Sequence, residues 1–314
     1  MERQQSVRGV FWNLFLMVAL VGLGSGLVLG QTTTAIISGT VIDETWGVLP
    51  GAEVSVLNVG TGAVRDTVSD DAGRYRVPEL ALGEYEVTGS LVGFQTIVRS
   101  GITLTVGRHA QVELTLRVGE ISERVTVTGE ASLVETTSST MSGLVSEQQI
   151  RDLPLNGRNF VQLTLLEPGV HQARTAGSSS VNGGGLKMTI HGARMDYNSF
   201  IMDGTSIQSV NQQAIGGSSG EALGVETIRE FQVLTSNFSA EFGGAGGGVI
   251  NVVTKSGTNE LHGSVFYFHR NDNLDATGFF ANQRNQEKPE FRRNQFGFTL
   301  GGPIVTDKTF IFGG

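Results

Sequence analysis

The sequence has no cysteine among its 314 residues. Disulfides, a thiol nucleophile and a lipid-modified cysteine are therefore excluded. It also lacks an excess of positive charge. Lys plus Arg come to 22 against 30 for Asp plus Glu, a formal net charge of −8, so the basic footprint of a nucleic-acid binder is missing. After residue 31 no apolar run is long enough to cross a bilayer as a helix. None of the five histidines has the glutamate that zinc-hydrolase spacing requires. The glycine runs match neither the dinucleotide fingerprint nor the phosphate loop. Gly216-Gly217-Ser218-Ser219-Gly220 spells a nucleophile elbow, but it sits in a Gln/Gly/Ser loop with no apolar strand before it. The expectation is a protein with no catalytic, metal or cofactor residues. What the sequence does have is glycine, 44 residues, roughly twice the usual share. With abundant Thr, Val and Ser, that composition predicts many short strands and tight turns.

The chain opens with Met1-Glu2-Arg3-Gln4-Gln5-Ser6-Val7-Arg8, and an apolar run follows over residues 10–29. Arg3 and Arg8 precede the run, and Gly22, Gly24, Ser25, Gly26 and Gly30 loosen its far end. These are the three parts of a secretory signal, predicted over residues 1–30 with cleavage after Gly30. The alternative is a permanent anchor, since the run approaches the ~20 residues of a spanning helix. The glycines favour the signal, because they weaken a helix where a peptidase needs extended chain. What remains is long enough for two domains.

From residue 34 to 118 the pattern is strands and turns. Ala52-Glu53-Val54-Ser55-Val56 alternates, and in residues 111–118 Val112, Leu114, Leu116 and Val118 fall on one face. Leu49-Pro50-Gly51, Thr61-Gly62 and Asp70-Asp71-Ala72-Gly73 supply turn chemistry. About seven short strands at this spacing predict a two-sheet sandwich. Asp70 and Asp71 read as polar caps on a hairpin, because the spaced oxygens of a calcium loop do not follow them. Next, Arg124-Val125-Thr126-Val127-Thr128-Gly129 alternates and is followed by polar, small-residue chain. Such a strand is suited to docking on another protein's sheet through main-chain hydrogen bonds; the alternative is a last strand of the sandwich, or a connector.

Residues 146–153 read as a short helix capped by Ser146 and stopped by Pro154. A second helix is predicted over 159–166, with Phe160, Leu163 and Leu166 on one side, and a third over 225–231, with Val225, Ile228 and Phe231 aligned. Met188-Thr189-Ile190-His191-Gly192 reads as a strand with His191 half-buried in it, and Asp203-Gly204 as a turn pair. Near the end, Gln295-Phe296-Gly297-Phe298-Thr299-Leu300-Gly301 alternates cleanly, Gly302-Pro303 is expected to close that strand, and residues 308–312 begin another. Phe296, Phe298 and Leu300 would face lipid while Gln295, Gly297, Thr299 and Gly301 face a lumen. An ordinary soluble hairpin is the alternative. Residues 261–314 provide roughly three strands at barrel length, too few to close a barrel. The chain is therefore expected to stop inside an incomplete barrel.

Several blocks carry a family resemblance. Gly39-Thr40-Val41, Leu49-Pro50-Gly51-Ala52-Glu53-Val54, Asp70-Asp71-Ala72-Gly73-Arg74-Tyr75 and Leu82-Gly83-Glu84-Tyr85-Glu86-Val87 resemble the carboxypeptidase regulatory-like domain, which implies a transthyretin-like fold with no catalytic role. Asp152-Leu153-Pro154-Leu155-Asn156-Gly157-Arg158-Asn159-Phe160, Asn198-Ser199-Phe200-Ile201-Met202-Asp203-Gly204, Glu226-Thr227-Ile228-Arg229-Glu230-Phe231 and the run from Gly246 through Gly257 look like the plug of TonB-dependent outer-membrane receptors of the Oar-like branch. Phe291-Arg292-Arg293-Asn294-Gln295-Phe296-Gly297-Phe298 resembles the early barrel of that branch.

The resemblance implies a mainly β architecture. A signal peptide (1–30) precedes a transthyretin-like sandwich (34–118), then a docking strand and linker (119–145), an α+β plug (146–258) and the first strands of a transmembrane barrel (259–314). It implies an outer-membrane location with plug and sandwich facing the periplasm, and no enzymatic activity. The implied partners are TonB with its inner-membrane energising complex, outer-membrane lipid, and an extracellular ligand such as an oligosaccharide, peptide or iron chelate. On this resemblance Val125, Thr126, Val127, Thr128 and Gly129 match the TonB box. They follow the accessory domain instead of lying near the mature N-terminus. Two other readings stand beside it: a secreted glycan- or protein-binding adhesion module, and an enzyme accessory subunit.

Overall fold

The computed structural model describes residues 34–119, 124–128, 139–155, 158–173, 186–207, 224–288 and 290–314. The expected signal at 1–30, the Gly/Ser loop at 216–220 and Gly129 lie outside these residues.

The first part consists of β1 (Ala35–Asp43), β2 (Glu53–Asn58), β3 (Val64–Val68), β4 (Arg74–Leu80), β5 (Gly83–Ser90), β6 (Thr96–Leu104), β7 (His109–Gln111), β8 (Leu114–Leu116) and β9 (Arg124–Thr128). Strand β1 centres one sheet, antiparallel to β4 and parallel first to β7 and then to β8. The other sheet runs β3-β2-β5-β6-β9. Period-two alternation turns Val54, Val56, Tyr75, Val77, Tyr85, Val87, Leu114 and Leu116 into a shared core. Burial of each large apolar side chain there contributes about 1.5–3 kcal/mol. The Asp70 carboxylate accepts the N–H groups of Ala72 and Arg74 at 2.9 and 2.8 Å, so it caps the hairpin as its sequence setting indicates.

Residues 111–118 depart from the single alternating strand expected there. The chain breaks at Val112, whose carbonyl accepts the buried Tyr75 hydroxyl at 2.6 Å. Pairing with β1 resumes at Leu114 and ends where β1 ends, at Asp43 opposite Leu116. Val118 then has no strand to pack beneath and is 79% exposed. Gly39 lies under the same corner: a Cβ there would stand 1.9 Å from the Val112 oxygen, so only glycine fits.

The second part holds β10 (Met141–Val145), α1 (Glu147–Asp152), a 3-10 segment (Phe160–Leu166), β11 (Val170–Gln172), β12 (Met188–Ile190), β13 (Ser199–Met202), β14 (Thr205–Ser206), β15 (Ile228–Ser236) and β16 (Val249–Thr254). Its main sheet runs β10-β15-β16-β13-β14. Ser146 and Gln149 close a capping box at the start of α1. The second expected helix forms as a 3-10 segment capped by Asn159. Its three-residue spacing matches the 3-10 period, burying Phe160 and Leu163 while Leu166 stays exposed. The third expected helix does not form. A single 3-10 turn over Val225–Thr227 gives way to β15, whose Ile228, Phe231, Val233 and Leu234 are all buried. A strand covered on both faces reads as a continuous apolar run with no clean alternation, and its first residues can mimic a helical stripe. His191 is exposed, with φ of 49° in the turn after β12, and is no strand residue. Asp203 and Gly204, with φ of 47° and 80°, form the tight turn joining β13 to β14.

The last part is an antiparallel meander of β17 (His262–Asn271), β18 (Arg292–Val305) and β19 (Thr309–Gly313). Between β17 and β18 lies a long connection containing α2 (Phe279–Gln283). Strand β18 continues through Gly302 and Pro303 instead of stopping there. A register shift between Pro303 and Val305 absorbs the proline in its pairing with β19. Among the described residues no helix is long and apolar enough to cross a membrane; that statement does not bear on strands.

Candidate functional site

Strand β9 places four of the five residues expected to dock a partner, Val125, Thr126, Val127 and Thr128, on the sandwich. It pairs parallel with β6, Ile97 opposite Val125, Val98 opposite Thr126, Arg99 opposite Val127 and Ser100 opposite Thr128. It ends its sheet, and no described strand pairs with its far edge. The segment is thus the last strand of the sandwich, one of the alternatives open in the sequence, with one edge that no described strand covers. The pairing was not readable beforehand, because a parallel partner needs a crossover of a dozen or more residues. Here β7 and β8, in the opposite sheet, form it.

The sandwich is bonded to the plug through the start of β15. Glu230 is buried, and its carboxylate accepts the Val106 N–H from the β6–β7 loop at 2.5 Å. Burial pushes the Glu230 carboxyl above its ordinary range, and the Val106 bond offsets part of that rise. Beside it the Arg229 guanidinium donates to the Leu82 carbonyl at 3.2 Å. Val253 of β16 packs into the sandwich core. Sequence reasoning assigned no role to Glu230. A lone glutamate inside an apolar strand is the signal that identifies it, since a carboxylate is rarely buried unless hydrogen-bonded.

The plug holds itself together around a second buried polar residue. Asn198 donates to the Met188 carbonyl at 2.8 Å and accepts the Gly248 N–H at 3.2 Å. It joins β12 to the glycine run that enters β16. A Cβ on Gly247 would stand 2.4 Å from the Asn198 oxygen, which explains why that position must be glycine. At the turn after β13, Asp203 accepts the Thr254 N–H and hydroxyl at 3.0 and 2.8 Å.

The meander has two distinct faces. Val265 and Tyr267 of β17 stand opposite Phe298 and Phe296 of β18, and all four are exposed, together with Leu300 and Ile311. Thr299 and Gly301 are buried on the other face. On that face Arg158 of the plug lies over the Phe268 ring at 4.3 Å and pairs with Glu226 at 2.5 Å. A cavity of about 630 Å³ separates plug from strands here, lined in part by Arg158, Glu226, Lys255, His262, Phe266 and Phe268. The two connections of the meander also differ. The β18–β19 turn is short and carries Asp307. Asn259 donates to Asp307 at 2.7 Å and receives the Asp307 N–H at 2.9 Å, while the Asn259 N–H reaches the carbonyl of Gly60 in the sandwich at 2.9 Å. The sandwich therefore sits at the short-turn end of these strands.

Among the described residues no group of three His, Asp or Glu side chains is placed to hold a metal ion. The chemistry on offer is main-chain pairing at a strand edge and an apolar outer band, with the inner face packed against a plug.

Comparison with known proteins finds the same three parts. Residues 36–117 match the carboxypeptidase regulatory-like domain, residues 132–249 the TonB-dependent receptor plug domain, and residues 253–314 an outer membrane beta barrel domain. The chain is similar to the TonB-dependent transporter Oar of Myxococcus xanthus, 31% identical over 314 residues, covering 94% of this chain and 28% of Oar. It is 27% identical over 172 residues to the "Probable TonB-dependent siderophore receptor PirA" of Acinetobacter baumannii, covering 52% of this chain and 21% of PirA. It is 27% identical over 174 residues to the ferrienterobactin receptor of Escherichia coli, covering 53% of this chain and 21% of that receptor. The chain thus spans under a third of the length of each of these relatives.

Proposed function

Because the chain carries in order the domains of an Oar-like TonB-dependent outer-membrane receptor, we propose that it forms the gate of an active importer. TonB would grip Val125, Thr126, Val127, Thr128 and Gly129. The domain limits 34–118, 146–258 and 259–314 mark the sandwich, the plug and the start of the barrel in this reading, with 119–145 joining sandwich to plug. The function is transport without catalysis. The outward band of Val265, Tyr267, Phe296, Phe298 and Leu300 meets outer-membrane lipid, and the plug fills the lumen against the inner face. An extended TonB segment adds to the docking strand, and tension from the energised inner membrane shifts the plug to open a path.

One observation carries this reading. The sandwich lies at the short-turn end of the strands, where Asn259 donates its N–H to the Gly60 carbonyl and its side-chain amide to Asp307 of the short turn. In outer-membrane barrels short turns face the periplasm and long loops face outward, which supports a docking strand on the side where TonB acts. The long β17–β18 connection then points to the exterior. One of the relatives is named a siderophore receptor and another a ferrienterobactin receptor, so a ferric siderophore is the first ligand to test, ahead of oligosaccharides and peptides.

The test replaces Val127 with proline, which removes a main-chain donor from the strand. Binding of the purified periplasmic domain of TonB should be lost. Unchanged binding would sink the assignment.

A further inference from the structure

We propose that the sandwich is the cradle that presents the docking strand: β9 stays paired with β6, and the TonB segment adds to the far edge of β9, extending a five-stranded sheet to six. This rests on reading residues 125–129 as the docking strand and adds what holds that strand.

Three observations converge. The first is register. All five residues of β9 have a partner on β6, from Thr96 opposite Arg124 to Ser100 opposite Thr128, so the strand is extended before any partner arrives. A segment already fixed in its bound conformation loses less freedom on binding than a loose tether does. The second is need. Without β9, the nine-residue β6, which carries Ile97 and Val98, would be a bare sheet edge, a template for unwanted pairing. The third is the edge itself. Pairing with β6 uses one side of β9 and leaves its opposite row of N–H and C=O groups without a described strand partner, which is what strand addition requires. The cradle is also anchored, since Val106 and Leu82 of the sandwich bond Glu230 and Arg229 of the plug. A pull on β9 therefore loads the plug sheet through the sandwich as well as along the chain.

The test uses the absence of native cysteine. Ser100→Cys with Thr128→Cys places two thiols opposite each other on β6 and β9. Neighbouring strands lie about 4.8 Å apart, within the separation a disulfide spans. The protein is oxidised, the bond is confirmed by mass, and the affinity for the purified periplasmic domain of TonB is measured before and after reduction, with Ser100→Cys alone as control. The expected result is a bond that forms readily and an oxidised protein that binds within about twofold of the reduced one. Failure of the bond to form, with the control folded, overturns the pairing. A loss of more than about tenfold on oxidation, restored by reductant, overturns the cradle and shows that the strand must leave β6 to bind. Absence of binding in both states, with the bond formed, overturns the docking-strand reading itself and the cradle with it.

Discussion

The Glu230 carboxylate of the plug accepts the Val106 backbone N–H of the sandwich at 2.5 Å, inside a contact where the glutamate is only 6% exposed. Burial raises its pKa above the ordinary glutamate value of 4.5, so protonation is favoured in the folded protein relative to the unfolded chain. The stability this preference contributes is fully present below 4.5 and is lost as pH rises through the raised folded value. Glu230→Gln keeps an acceptor for the Val106 N–H and removes the titration. The difference in thermal unfolding should shift in favour of the glutamine protein as pH rises through that window. Parallel pH curves for the two proteins would contradict the assignment.

Arg158 and Glu226 form the most buried ion pair among the described residues, with side chains 14% and 10% exposed. Removing either partner strands a charge, and Arg158→Ala or Glu226→Ala should each cost about 3–5 kcal/mol. The double replacement should cost much less than the sum. A double-mutant cycle by denaturant unfolding checks this; additive losses would mean that the pair does not couple.

Gly39→Ala should destabilise the sandwich by about 1–3 kcal/mol through overpacking, because the added methyl would meet the Val112 carbonyl. That carbonyl cannot retreat without releasing the Tyr75 hydroxyl. The midpoint of thermal unfolding reports the loss, and an unchanged midpoint would show that the corner yields.

Phe298→Arg places a charge on the exposed face of β18, whereas Gln295→Arg changes the other face. In the full-length receptor the first should reduce membrane-inserted stability by about 2–4 kcal/mol at mid-depth and the second far less. Heat-modified gel mobility of outer-membrane fractions distinguishes them. Equal effects would argue against a lipid-facing band.

Much of this architecture was legible because it is local. The alternation of Val54 with Val56 and of Phe296 with Phe298 survives in the strands, and the Ser146 capping box and the Asp203-Gly204 turn depend only on near neighbours. What escaped was set by distant chain. Residues 225–231 resemble a helix face until pairing with β16 draws Ile228 to Phe231 into β15. Val118 keeps the rhythm of Leu114 and Leu116, but β1 has run out beneath it. The parallel pairing of β9 with β6, and the bond from Glu230 to Val106, each join residues far apart in sequence. No pattern within either segment encodes such a contact. The candidate site was therefore legible as a strand and illegible as a place.

Photo-crosslinking in cells from a benzophenone amino acid at position 127 of the full-length receptor tests the central claim most directly. The account predicts an adduct with TonB that disappears in cells lacking TonB and is absent when the same group stands at the exposed Val68 of β3. A receptor that reaches the outer membrane folded yet gives no TonB adduct from position 127 would contradict it.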